Sequence, residues 1–121
     1  EPGRKREKIK EANLIAEDMV LAILKDFDEK SLDLKGPSGI LLLVNGFSAT
    51  PLSELYLIYN AVAEKLNQKN IHIWRSMVGN YTTALDMAGA SITICLLDDE
   101  IKKHWDSSVI TPNLRWGNGY V

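Results

Sequence analysis

Residues 40–66 constrain the fold more than any other stretch of this chain. Five aliphatic side chains in a row, Ile40-Leu41-Leu42-Leu43-Val44, show no polar alternation. That is the pattern of a strand covered on both faces, as in a parallel α/β sheet. Asn45-Gly46 interrupts the run, and glycine accepts backbone angles that a side chain forbids. Thr50 then takes an N-cap position, where its hydroxyl would accept a backbone N–H. Pro51 falls at the first helical residue, where its missing N–H costs nothing. Leu52, Leu55, Tyr56, Tyr59, Val62, Ala63 and Leu66 recur every three or four residues and define one apolar helix face. The stretch reads as strand, loop and capped helix, the first two-thirds of a βαβ unit. Residues 71–78 supply the returning strand, and a right-handed crossover places the helix on one face of the sheet.

In open α/β sheets, ligands gather beyond the carboxyl ends of the strands. Here that edge would carry residues 45–49 and 79–90. The segment from Gly79 to Gly89 is too polar for a strand and predicts a loop with one helical turn. Asp86 is its lone acid; loop acids at such an edge are often functional, although a turn-forming aspartate looks the same. Asn45-Gly46-Phe47-Ser48 could cradle an anion on backbone N–H groups at the start of the following helix, or be an ordinary strand-to-helix loop.

The remaining elements follow from periodicity and punctuation. Ile9, Ala12, Ile15, Ala16, Met19, Val20, Ile23, Leu24 and Phe27 form a helical stripe over residues 9–27. A polar loop, closed by Gly36-Pro37-Ser38-Gly39, delivers the chain into the first strand. Residues 90–97 read as a third strand, with Cys95 packed in the core. Asp98-Asp99-Glu100 caps a short helix through Trp105, a role that accounts for the paired acids without a divalent metal. The tail, residues 106–121, reads as irregular, with Trp116 in need of something to pack on.

The 121 residues are 45% hydrophobic and 25% charged with a net charge of −2, which suits one soluble domain and argues against a nucleic-acid surface. Arg4, Lys5, Arg6, Lys8 and Lys10 crowd the amino end and read as a solvated helix start. With no long apolar run and no signal sequence, a cytoplasmic protein that does not engage a membrane is expected. A single cysteine excludes an internal disulfide, and His72 and His104, both read as surface residues, give no metal spacing. No phosphate loop or dinucleotide fingerprint is present. The residues describe an α/β domain without a self-contained catalytic set.

Several segments nevertheless resemble one family when taken in order. They are Glu1-Pro2-Gly3, Leu43-Val44-Asn45, Ala49-Thr50-Pro51-Leu52-Ser53-Glu54-Leu55-Tyr56, Leu85-Asp86-Met87-Ala88-Gly89, Ser91-Ile92-Thr93, Leu97-Asp98-Asp99-Glu100, Trp105-Asp106 and Thr111-Pro112. Together they resemble the carboxyl-terminal part of the dihydroxyacetone-binding subunit of dihydroxyacetone kinase, over nearly the whole chain. The resemblance implies that residues 1–121 are the carboxyl-terminal portion of a larger, two-domain, homodimeric subunit whose upstream part completes a mainly parallel sheet flanked by helices. In this family a histidine lies in a His-Gly pair directly before Glu-Pro-Gly and holds dihydroxyacetone covalently as a hemiaminal. No catalytic residue therefore carries over onto positions present here, and Asn80 and Asp86 are at most supports behind the substrate contacts.

The resemblance also implies that no cofactor belongs to this chain. ADP or ATP with magnesium sits on a nucleotide-bearing partner subunit, which in the phosphotransferase-linked branch is recharged by a phosphocarrier protein. An alternative within the family is a dihydroxyacetone-sensing transcriptional coactivator without kinase activity. The family often has Leu-Gly where this chain has Phe47-Ser48, and a bulky aromatic at Ala90. The absence of an initiator methionine before Glu1 leads to the expectation that the chain is a processed, trimmed or partial sequence.

Overall fold

The computed structural model describes residue 8 and residues 10–117. Arg4, Lys5, Arg6 and Ile9, named above, lie outside the described residues. The element order is α1 (Ala12–Glu29), β1 (Ile40–Gly46), α2 (Leu52–Gln68), β2 (Ile73–Gly79), β3 (Ala90–Leu96), α3 (Asp99–Trp105), β4 (Val109–Ile110) and β5 (Arg115–Trp116).

The β1–α2–β2 unit is as its sequence predicts. β1 and β2 are parallel, with Val44 opposite Val78, and α2 packs against both strands. β3 lies on the other side of β1, giving the order β2-β1-β3, and it runs antiparallel, with Leu42 opposite Ile94. The sheet is therefore mixed, and the expected mainly parallel arrangement does not hold among the described residues. The cause is the connection. A parallel return needs a crossover long enough to carry the chain back to the starting edge. The loop at residues 80–89 contains no helical turn, contrary to expectation. It passes over the carboxyl end of β1 and enters β3 from that same end.

The core sits between β1 and the two long helices. Ile40, Leu42 and Val44 are completely buried against Ala16 and Val20 of α1 and Leu55, Val62 and Leu66 of α2. Full burial of one such aliphatic side chain contributes about 1.5–3 kcal/mol, so this cluster dominates the stability of the layer. The alternate residues Leu41 and Leu43 are only half-buried. An unbroken aliphatic run predicted cover on both faces, yet α1 and α2 both lie on one. Cys95 faces the same open side, because its neighbour Ile94 takes the core position; it is half-buried instead of packed in the core.

Both long helices end on left-handed residues, Ser31 (φ 55°) and Asn70 (φ 59°). At each end the next N–H folds back to the helix: Leu32 N–H to the Phe27 carbonyl, and Ile71 N–H to the Leu66 carbonyl, both at 3.0 Å. These bonds satisfy carbonyls that would otherwise lack partners. Asp98 caps α3 as expected, its carboxylate accepting from Ile101 N–H at 2.7 Å. The tail is not irregular. β4 and β5 pair antiparallel, and Trp116 stacks on Trp105 with ring centroids 5.1 Å apart while its indole N–H donates to the Ser107 carbonyl. A spacing of a few residues between the short strands hides such a hairpin from periodicity arguments. His72 and His104 are exposed. No described helix is long and apolar enough to cross a membrane.

Candidate functional site

The carboxyl edge of β1 and β2 carries two loops, residues 47–51 and 80–89, and a set of polar side chains that tie them together. Asn45 ends the aliphatic run and is 3% exposed. Its side-chain carbonyl accepts from the N–H groups of Tyr81 (2.9 Å) and Thr82 (2.8 Å), and its amide donates to the Thr82 carbonyl at 2.8 Å. A primary amide offers acceptor and donor atoms side by side, so it can pair with a loop as another backbone segment would. Asn80 reaches the other way, its carbonyl oxygen accepting from Ser48 N–H at 3.2 Å.

Thr50 supplies the second tie. Its hydroxyl accepts from Gly89 N–H at 2.8 Å and donates to the Gly89 carbonyl at 3.0 Å. The helix of residues 52–68 has Pro51 at its cap position and no side-chain cap bond. Thr50 is thus not the expected N-cap. Its extended backbone, favoured in the residue before a proline, turns the hydroxyl away from α2 and onto the start of β3.

The backbone completes the arrangement. Phe47 N–H donates to the Gly89 carbonyl and Ala49 N–H to the Met87 carbonyl, both at 3.2 Å, and Ser48 bridges Met87 in parallel fashion. With the N–H groups of Phe47, Ser48 and Ala49 all engaged inside the protein, this loop is a brace and not the anion cradle that its sequence allowed. Ser48 adopts φ 77°, the left-handed region where the family pattern has glycine. Gly46 is needed for close packing, since a Cβ there would lie 2.7 Å from a methyl of Leu55.

Of the two residues singled out from sequence, Asn80 joins the brace. Asp86 stands apart on the exposed outer part of the loop, and its carboxylate makes no hydrogen bond or ion pair among the described residues. Beside it Leu85 is fully exposed and Met87 half-exposed. Sequence reasoning missed Asn45 and Thr50 as organising residues. The signal for Asn45 was a polar amide closing a fully aliphatic strand; Thr50 gave no local signal, because its partner lies 39 residues away. Among the described residues no group of three or more His, Cys, Asp or Glu side chains converges on a point that could hold a metal. What the site can do chemically is hold a loop rigid and present Leu85 and Asp86 outward.

Comparison with known proteins agrees with the segments quoted above. The Dak1 domain model matches residues 1–113. The chain is 45% identical over 84 residues, 69% of its length, to the dihydroxyacetone-binding subunit DhaK of the PEP-dependent dihydroxyacetone kinase of Escherichia coli K12, covering 24% of that protein. It is 39% identical over 118 residues, 97% of its length, to DhaK of the PTS-dependent dihydroxyacetone kinase of Lactococcus lactis, covering 33% of that protein. Among solved structures, the dihydroxyacetone kinase operon co-activator DhaQ superposes with a TM-score of 0.74 at 30% identity, covering 87% of this chain and 31% of that one. The chain thus spans between a quarter and a third of the length of these relatives. A family model that runs through β1, the braced loops and β3 leaves one conclusion: the chain belongs to the Dak1 domain family.

Proposed function

We propose that this chain is the carboxyl-terminal portion of the dihydroxyacetone-binding subunit of a phosphotransferase-linked dihydroxyacetone kinase. The observation that carries the reading is the 39% identity with a PTS-dependent DhaK over 97% of the chain. The co-activator DhaQ is less similar, at 30% identity. In this reading the subunit is cytoplasmic and homodimeric, and the chain is one part of a two-domain protein. A histidine preceding Glu1 captures the ketone: an imidazole nitrogen bonds to the carbonyl carbon, and the carbonyl oxygen takes up a proton to become the hemiaminal hydroxyl. The nucleotide with its magnesium, carried by the partner subunit, supplies the phosphoryl group.

The residues described here act at a distance from that chemistry. Asn45, Thr50 and Asn80 hold the loop at residues 80–89 in one shape, and Asp86 offers a carboxylate to groups outside this chain. Positioning of this kind is worth most when the supporting residues are themselves locked by packing and hydrogen bonds.

Native mass spectrometry of the full-length subunit with dihydroxyacetone tests the reading, followed by a phosphoryl-transfer assay with the nucleotide subunit and the phosphocarrier. The expected result is one ketone per subunit and formation of dihydroxyacetone phosphate. Capture without transfer would assign the chain to the coactivator branch. No capture at all would remove dihydroxyacetone binding as its function.

A further inference from the structure

The two edges of the sheet are built differently. On the β2 edge, Trp74 is an extra residue in the register with β1, so the strand is irregular there. Arg75 adds a charge, lies over the Trp74 ring at 4.3 Å and approaches Asp106 at 3.5 Å, while Lys102 of α3 sits over the same ring. Bulges, charges and covering elements are the devices by which sheets avoid recruiting a further strand. β3 has none of them. Ala90-Ser91-Ile92-Thr93-Ile94-Cys95-Leu96 carries no charge and no proline. It pairs with β1 over all seven residues without a shift in register. Among the described residues no strand pairs with its outer side.

We infer that β3 is not an edge in the complete protein, and that a further strand, supplied by the same polypeptide outside these 121 residues, adds along its outer side. The inference rests on the proposal that the chain is part of a longer subunit. Two observations favour that occupant over a second copy of β3. The first is length: the relatives extend about three times as far as the matched region, which spans 32% and 33% of two of them. The second is the open face. Leu41, Leu43 and Cys95 lie half-buried on the side that α1 and α2 leave uncovered. A twofold pairing of β3 with itself would lay two such strips side by side and cover neither. A strand entering from additional polypeptide brings its own connections to pack over that face.

Hydrogen exchange on the full-length subunit, followed by mass spectrometry of peptides spanning residues 90–96, decides the matter. In an edge strand about every second amide points outward and exchanges quickly. With a strand on each side, every amide of the segment should exchange roughly 100-fold or more slowly than in an unstructured chain, at all protein concentrations. Rapid exchange of alternate amides would show a bare edge and overturn the inference. Protection lost on dilution to the monomer would assign the added strand to a second copy and overturn it equally. Ketone capture, read by native mass on the same sample, reports separately on the kinase-subunit proposal.

Discussion

Replacing Thr50 by valine removes a hydroxyl and keeps the shape of the side chain. Thr50 is 8% exposed, so water cannot readily take the hydroxyl's place. The substitution deletes the bond from the Thr50 hydroxyl to the Gly89 carbonyl and leaves Gly89 N–H without its acceptor. The carbonyl still receives Phe47 N–H, so its loss is partial. One net hydrogen bond is worth about 1 kcal/mol, and a buried donor left unpaired costs about 1–3 kcal/mol more. A destabilisation of about 2–3 kcal/mol is expected. With a urea slope of about 2 kcal/mol/M this lowers the unfolding midpoint by about 1 M. Thr50→Ser is the control: it keeps the hydroxyl and gives up one buried methyl, at a cost of about 0.8 kcal/mol. If urea unfolding placed Thr50→Val within about 0.5 kcal/mol of the parent, below the effect of a buried unpaired donor, the tie between Thr50 and Gly89 would not be what holds the loop.

Other substitutions probe the same edge and its surroundings. Ser48→Gly relieves the left-handed backbone at φ 77° and should raise stability by about 1 kcal/mol in the same assay. Gly46→Ala forces a methyl against Leu55 and should destabilise by about 1–3 kcal/mol, the usual range for overpacking; a crystal structure of the variant would show α2 displaced from β1. Asp98→Ala deletes the α3 cap and should cost about 1 kcal/mol, with Asp98→Asn retaining most of the bond to Ile101 N–H, as read by thermal unfolding.

How much of this was legible in the sequence depended on how local each cause was. The strand–helix–strand unit followed from the aliphatic run at residues 40–44 and from the spacing of Leu55, Val62 and Leu66, all of which proved fully buried. The Asp98 cap was equally readable, because donor and acceptor are three residues apart. The direction of β3 was not, since seven apolar and small residues look the same whichever way they run; the loop before them decides it. Thr50 illustrates the limit most directly. Thr-Pro before an amphipathic run is a good cap signature, but a partner far along the chain competed for the hydroxyl and won. Asp86 was readable as an unusual loop acid, and its lack of a partner among the described residues is something that only coordinates reveal.

The central place of β1 carries a consequence for the order of folding. β1 is joined to β2 through a helix that makes its own hydrogen bonds as it forms, so the first pairing can grow from a largely local unit. β3 must then find β1 across a separation of about 50 residues, with the loop at 80–89 free until Asn45 and Thr50 engage it. Closing a longer loop adds little entropy, but contacts of long range tend to form late. The ties made by Asn45 and Thr50 are therefore expected to be absent from the rate-limiting step. Weakening them by about 2 kcal/mol would leave the folding rate nearly unchanged and speed unfolding about 30-fold. The polar brace at the loop edge would then govern how long the native state persists more than how quickly it is reached.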